Sequence, residues 1–181
     1  MKISPVVKPV MVLLAFVLVL SVGCEKNNRK SPKQLLAEEM ALLDEFYAKS
    51  DSFKVWVDRA DGDTIDNRET SGLMYFQLEE GTGDTVQVGK MVGYRFQMYY
   101  LARDSAGAPT LWDRGNNYGQ ASPIEYMAGQ PNPRNGIYTG LDQGIRYMKR
   151  FGKSRLIIPS PIGGGDYWTR IYEVEVTYQS K

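Results

Sequence analysis

The chain has 181 residues, of which 43% are hydrophobic, with one cysteine, no histidine and a net charge of +1. That size fits one domain with extra segments, and the apolar content is enough for a core, which excludes global disorder. The missing ligands exclude an internal disulfide, a histidine-based triad and the usual transition-metal sites. A near-neutral charge without a long basic run leaves no footprint for nucleic acid. No cofactor and no metal are expected.

Lys2 and Lys8 precede an apolar run from Val10 to Leu20, followed by Ser21, Val22, Gly23 and Cys24. The run is shorter than the roughly 20 residues of a membrane span and fits the apolar core of a secretory signal. The sole cysteine stands at its end. This arrangement resembles a bacterial lipoprotein signal, in which the cysteine is acylated and becomes the first mature residue. It departs from the usual pattern in having Ser21 where a leucine is common, with Leu20 one step back. The alternative is a secreted protein with a free thiol. The resemblance implies a signal peptide over 1–23, a lipid on Cys24 and a tether over 24–30. Several acyl chains together give a stable membrane anchor. Glu25, where inner-membrane retention favours aspartate, implies the outer membrane. The stretch Glu25–Lys30 lacks the acidic cluster associated with surface export in Bacteroidetes, which implies a periplasm-facing chain.

Residues 31–70 read as a helix followed by a short strand and a loop. Ser31, Pro32 and Gln34 form a start signal. Leu35, Leu36, Met40, Leu43, Phe46 and Tyr47 then recur at helical spacing to Lys49. The apolar face of this helix needs a partner: its own domain, or a second copy in a homodimer. Phe53–Val57 predicts a strand. Asp58–Glu69 predicts a charged, solvated loop around an Asp61-Gly62-Asp63 turn. Asp61, Asp63 and Asp66 lack the spacing of a calcium loop.

The main domain is expected over 71–181. Gly72–Phe76 opens it, and Glu80–Asp84 is a turn between strands. The longest strand is expected over Val92–Leu101. Val92, Tyr94, Phe96, Met98 and Tyr100 fall on one face, and Gly93, Arg95, Gln97 and Tyr99 on a second, wet face. A turn near Thr139 and Gly140 leads into a helix with Leu141, Ile145 and Met148 on one face, ended by Gly152. Arg155–Ile158 forms the next strand, stopped by Pro159 and Pro161. Ile171–Tyr178 alternates cleanly, with Tyr172, Val174, Val176 and Tyr178 inward.

The run GLDQGI, then Met148-Lys149, Gly152-Lys153 and Ile157-Ile158-Pro159-Ser160 resembles the centre of FKBP-type peptidyl-prolyl isomerases. The resemblance extends from about Gly72 to Tyr178. It implies an α+β fold: an FKBP-like antiparallel sheet wrapped around one short helix, with the N-terminal amphipathic helix as an addition. It also implies the function. The chain would be a lipid-anchored peptidyl-prolyl cis-trans isomerase that assists folding of cell-envelope proteins, with proline-containing clients as partners.

Such an enzyme makes no covalent bond to its substrate. It lowers a barrier of about 18–20 kcal/mol by binding the twisted amide better than either planar form. An apolar, aromatic pocket with a few donors is sufficient, so the lack of histidine is no obstacle. Carried over position by position, the resemblance assigns Tyr100, Trp112 and Asp113 as catalytic. It assigns Ile124, Tyr126, Ile137, Tyr138, Leu141 and Tyr172 to substrate binding. The departures are specific. Gly163-Gly164-Gly165 stands where the family has A-Y-G, so a ligand-binding tyrosine is absent, and Tyr167 or Trp168 would have to replace it. The following loop shrinks to Asp166–Arg170. Leu141 replaces the tryptophan of the pocket floor. No arginine sits at the spacing that pairs with the aspartate, and Arg114 would need another geometry. At about 1 kcal/mol for each lost hydrogen bond, these changes amount to roughly tenfold to several hundredfold in rate. Two other readings follow: a binding or chaperone module with little turnover, and a structural lipoprotein that uses its first helix as a contact. Arg146, Lys149, Arg150, Lys153 and Arg155 read as a solvated basic turn.

Overall fold

The computed structural model of the chain describes residues 29–59 and 64–181. The signal peptide, Cys24, most of the tether and the Asp61–Asp63 turn lie outside the described residues. The first helix, α1 (Pro32–Lys49), begins at a proline, where the missing N–H costs nothing. Its Leu43 and Phe46 are buried.

The strand expected at Phe53–Val57 is instead part of a second helix, α2 (Asp51–Arg59). Three features override the β-propensity of Val55 and Val57. The Phe53 backbone N–H donates to Ser50 Oγ at 3.2 Å, which caps the helix. Asp51 sits in the positive first turn. Phe53 and Trp56, three residues apart, both reach Phe46, with ring centroids 5.8 and 5.5 Å away. Phe53 also meets Phe76 edge-on at 5.9 Å.

The main sheet contains β1 (Thr64–Asn67), β2 (Leu73–Glu79), β4 (Met91–Arg103), β5 (Pro109–Asn116), β6 (Ile124–Met127), β8 (Lys153–Ile158) and β9 (Arg170–Gln179). Its order is β1-β2-β8-β9-β4-β5, antiparallel throughout, with β6 also paired to β4. Short strands β3 (Thr82–Thr85) and β7 (Lys149–Arg150) pair separately. Thr64–Asn67, expected in a charged loop, is thus an edge strand. Ile65 packs into the core, Asn67 donates to the Tyr147 hydroxyl at 3.1 Å, and Arg68 pairs with Asp66. Residues 32–181 form one unit, so the stretch up to residue 70 is integral to the sheet and its covering.

The third helix, α3 (Thr139–Arg146), covers one face of the sheet with Leu141 and Ile145 fully buried. It lies close because of two glycines one turn apart. A Cβ on Gly140 would fall 2.6 Å from Ile158 Cγ2, and one on Gly144 would fall 2.5 Å from Leu156 Cδ1. The helix ends at Tyr147, before Met148. The left-handed residue after it is Phe151 (φ 63°), where Gly152 was expected. Gly152 serves a different need: a Cβ there would meet Glu80 O at 2.9 Å and Lys149 O at 3.0 Å.

The second face was expected to be wet. Its larger part is dry. Met74, Phe76, Leu101, Ile157 and Ile171 join Leu43, Phe46 and Trp56 in a second core under α1 and α2. Both faces of β2 and β8 are therefore covered, which is why Leu73-Met74-Tyr75-Phe76 and Leu156-Ile157-Ile158 are apolar without alternation. The expected basic turn is largely neutralised: Arg146 pairs with Asp142, Lys149 with Glu80, Lys153 with Glu79 and Arg155 with Glu173.

Candidate functional site

Of the aromatic residues expected at the site, Tyr100, Trp112 and Tyr138 gather where the end of β4, β5, the start of β9 and the N-terminus of α3 meet. Tyr100 on β4 lies opposite Trp112 on β5 and opposite Arg170 on β9. Tyr138 is the extended residue just before α3. Trp168, in the short loop before β9, stacks on Tyr100 at 5.3 Å and 22°. Trp112 is 6.4 Å from Trp168 and is 57% exposed. Arg114 lies 5.0 Å over the other part of this cluster, on the Tyr100 ring.

Arg170, a position the family pattern leaves out of the site, occupies the centre of this cluster. It is 2% exposed. Its two terminal nitrogens donate to Asp166 Oδ1 at 2.9 Å and Oδ2 at 2.7 Å, a fork-on-fork pair. It also donates to the Trp168 carbonyl at 3.1 Å. Its guanidinium lies 4.5 Å from the Tyr138 ring centroid and 5.2 Å from that of Tyr100. Its Nε is buried without a hydrogen-bond partner. Burial works against the charge, but the hydrogen bonds to Asp166 outweigh it and leave Arg170 more firmly protonated than a free guanidinium. Burial likewise pushes the Asp166 carboxyl up, and Arg170 more than offsets this, so the carboxyl stays below its usual range. A signal for Arg170 was present. It stands two residues before Tyr172, so the alternation that turns Tyr172, Val174 and Val176 inward also turns Arg170 inward.

Asp113 is not part of the cluster. It is exposed and accepts hydrogen bonds from Gln97 Nε2 at 2.8 Å and the Gly115 N–H at 2.7 Å. It pairs across the strands with Tyr99, so its side chain leaves on the face opposite Tyr100. A bulge between Met98 and Tyr99 leaves Arg114 without a cross-strand partner, and Arg114, not Asp113, lies over the Tyr100 ring.

The substrate-binding candidates are mostly core. Leu141 is fully buried, and Ile137, Tyr172 and Tyr126 are buried beside it. Ile124 and Tyr138 are partly buried against the same cluster. The Tyr126 hydroxyl donates to Asp142 Oδ1 at 3.0 Å, and Asp142 also accepts from the Gly129 N–H at 2.8 Å and Arg146 Nε at 3.1 Å. Burial, with Asp142 adding to it, pushes the Tyr126 phenol far up, and burial does the same to Tyr172. Neither phenol is an acid near neutral pH.

Beside the cluster runs a groove of about 760 Å³, lined by Leu35 and Leu42 of α1, Leu101, Trp112 and Trp168 among others. Glu39 anchors this edge. It is buried, accepts from the Ser160 N–H at 2.7 Å and Thr169 Oγ1 at 2.9 Å, and also bonds the Ser160 hydroxyl. It ties α1 to both ends of the loop that carries Asp166 and Trp168. Among the described residues no cluster of acidic, cysteine or histidine side chains could hold a metal.

An antiparallel sheet closed over one short helix is the fold of FKBP-type peptidyl-prolyl isomerases. A crystal structure of a peptidyl-prolyl cis-trans isomerase from Pseudomonas syringae pv. tomato is similar with a TM-score of 0.51 and 17% identity, over 86% of this chain and 100% of that one. The N-terminal domain of FKBP42 from Arabidopsis thaliana is similar with a TM-score of 0.50 and 14% identity, over 67% of this chain and 94% of that one. At these identities the likeness establishes the fold. In sequence, the chain is similar to two chloroplastic Arabidopsis thaliana peptidyl-prolyl cis-trans isomerases. FKBP20-2 is 31% identical over 93 residues, which are 51% of this chain and 34% of that protein. FKBP17-3 is 27% identical over 96 residues, 53% of this chain and 38% of that protein. The chain thus spans well under two thirds of either relative. No protein-family model matches it.

Proposed function

We propose that the chain is an FKBP-type peptidyl-prolyl isomerase for proline-containing segments of cell-envelope proteins, held at the bacterial outer membrane by a lipid on Cys24 and facing the periplasm. The observation that carries the enzymatic part is the ring cluster of Tyr100, Trp112, Tyr138 and Trp168, set over a rigid core in a fold shared with isomerases. Aromatic walls strip water from a prolyl ring and favour the less delocalised, twisted amide. The Arg114 guanidinium beside Tyr100 supplies donors for a neighbouring carbonyl. The anchoring part rests on the apolar run ending in the sole cysteine.

The test is NMR exchange spectroscopy on a series of short X-Pro peptides with the full chain. Uncatalysed exchange takes tens to hundreds of seconds. Acceleration that is lost in Tyr138→Ala supports the enzyme. A folded chain that accelerates none of the series refutes it. For the anchor, the intact mass of the chain made in a bacterial host should carry acyl groups that Cys24→Ala lacks.

A binding module with little turnover is the second reading, and the observation behind it is that Arg170 fills the space among the rings. The use of α1 as a contact with another copy is not favoured, because Leu43 and Phe46 are spent on its own sheet.

A further inference from the structure

We infer that Arg170 is a gate: its guanidinium plugs the prolyl pocket in the closed state, and the glycine at position 164 exists to make room for it. The inference rests on the pocket reading above and specifies what controls access to that site.

Three observations converge. First, the guanidinium is not a surface group that happens to lie nearby. It is almost wholly buried between Tyr138 and Tyr100, the two rings that would hold a prolyl ring. A guanidinium and a pyrrolidine ring are of similar size, so the two cannot share that space. Second, the space was made by the chain itself. A Cβ on Gly164 would lie 2.9 Å from Arg170 Cζ and Nη1 and closer still to Nη2. Gly164 has no positive φ. Its lack of a side chain therefore answers a steric need, not a backbone one. The absent tyrosine and the inward arginine are two halves of one change.

Third, the plug is held by a latch that can open. Asp166, the partner of Arg170, has a side chain 42% exposed, while that of Arg170 is 3% exposed. Arg170 Nε has no hydrogen-bond partner. The loop from Pro159 to Thr169 carries Asp166, the Gly163–Gly165 run and Tyr167, which has a left-handed φ of 64°. Glu39 clamps this loop at Ser160 and Thr169. Between those points Gly163 and Gly165 bond back to the Ser160 carbonyl, and Asp166 and Trp168 are tied to Arg170 itself, so these two move with the plug. An outward swing of Arg170, with Asp166 following, vacates the ring cluster and leads toward the adjoining groove, which Asp166 and Trp168 also line.

A closed site reduces apparent affinity by the fraction of molecules that are open. With an open fraction of 0.1–10%, typical of a minor state, removal of the gate raises affinity by about tenfold or more. Arg170→Ala deletes the plug. Gly164→Ala keeps the charge but takes away its space.

The experiment titrates an X-Pro peptide against the full-length wild type and both variants. It reads binding from NMR shifts of the peptide and turnover from exchange, after circular dichroism has shown each protein folded. The expected result is peptide affinity at least tenfold above wild type in each variant. Should Arg170→Ala fail to fold, Gly164→Ala carries the test. Affinity in the folded variants equal to or below wild type overturns the gate, whether or not the wild type is an isomerase. Tighter binding with no turnover in any protein upholds the gate and refutes the isomerase reading. The two failures are thus distinguishable.

Discussion

Replacement of Glu39 by alanine is expected to loosen α1 from the sheet and cost more than any surface change on that helix. The carboxylate is 6% exposed and accepts from the Ser160 N–H, the Ser160 hydroxyl and the Thr169 hydroxyl. Hydrogen bonds to a charged group contribute about 1.5–3 kcal/mol each, which three such bonds would take to roughly 5–9 kcal/mol gross. Against this stands the desolvation of the carboxylate, several kcal/mol in a buried site. The net gain is small. The cost of truncation is not, because the Ser160 N–H and the two hydroxyls are left buried without an acceptor at about 1–3 kcal/mol each. The expected loss is about 3–5 kcal/mol for Glu39→Ala, with Glu39→Gln between it and wild type. Urea denaturation followed by tryptophan fluorescence measures it, with Trp56 under α1 as one reporter. A loss below about 1 kcal/mol at unchanged m would refute the burial of this carboxylate against Ser160 and Thr169.

Gly144→Ala is expected to cost about 1–3 kcal/mol by overpacking against Leu156, although alanine is the better helix former, and thermal melts check the sign. Asp113→Ala is expected to change peptide exchange by less than about twofold, because its partners are Gln97 and Gly115. A loss as large as that from Tyr138→Ala would return Asp113 to the site. Asp166 has a folded pKa below its unfolded value of about 3.9. Its stabilisation is therefore fully present above that value and is lost as pH falls through the lower folded one. An NMR titration of the Asp166 carboxyl that shows an inflection at or above the ordinary value would contradict the pairing with Arg170.

Much of the fold was legible. The Ser31-Pro32 start of α1, the GLDQGI helix and the alternation of the last strand as far as Val176 all act locally, through caps and periodicity; beyond it a bulge sets Tyr178 opposite Gly93 and out of the core. What failed was not local. Phe53–Val57 is five residues long, too short for a period of 2 to be told from one of 3.6, and Phe46 decided it from another helix. Leu73–Phe76 carried an unread clue, since four consecutive apolar residues imply a sheet covered on both faces. At the site, Tyr100 was read from strand parity and the family pattern together, Trp112 and Tyr138 from the family pattern alone, and the structure brings the three to one cluster. Asp113 was misplaced because the family pattern was followed where simple alternation from Trp112 already turns the next residue to the opposite face. Arg170 was readable by the same parity that found Tyr172. A charged residue counted inward runs against the expectation that inward positions are apolar, and only the vacancy at Gly164 resolves it.

The place of β9 between β8 and β4 has a kinetic consequence. It is the last strand in chain order, yet it joins the two halves of the sheet, and it pairs with β4 residues some eighty positions earlier. Until it arrives, β2 with β8 and β4 with β5 are separate fragments with open edges and exposed Leu156, Ile157 and Tyr94 surfaces. Contacts of such long sequence separation slow folding. A chain emerging from a ribosome therefore cannot close its own sheet early, and spends that interval with the exposed edges that draw unfolded chains into aggregates.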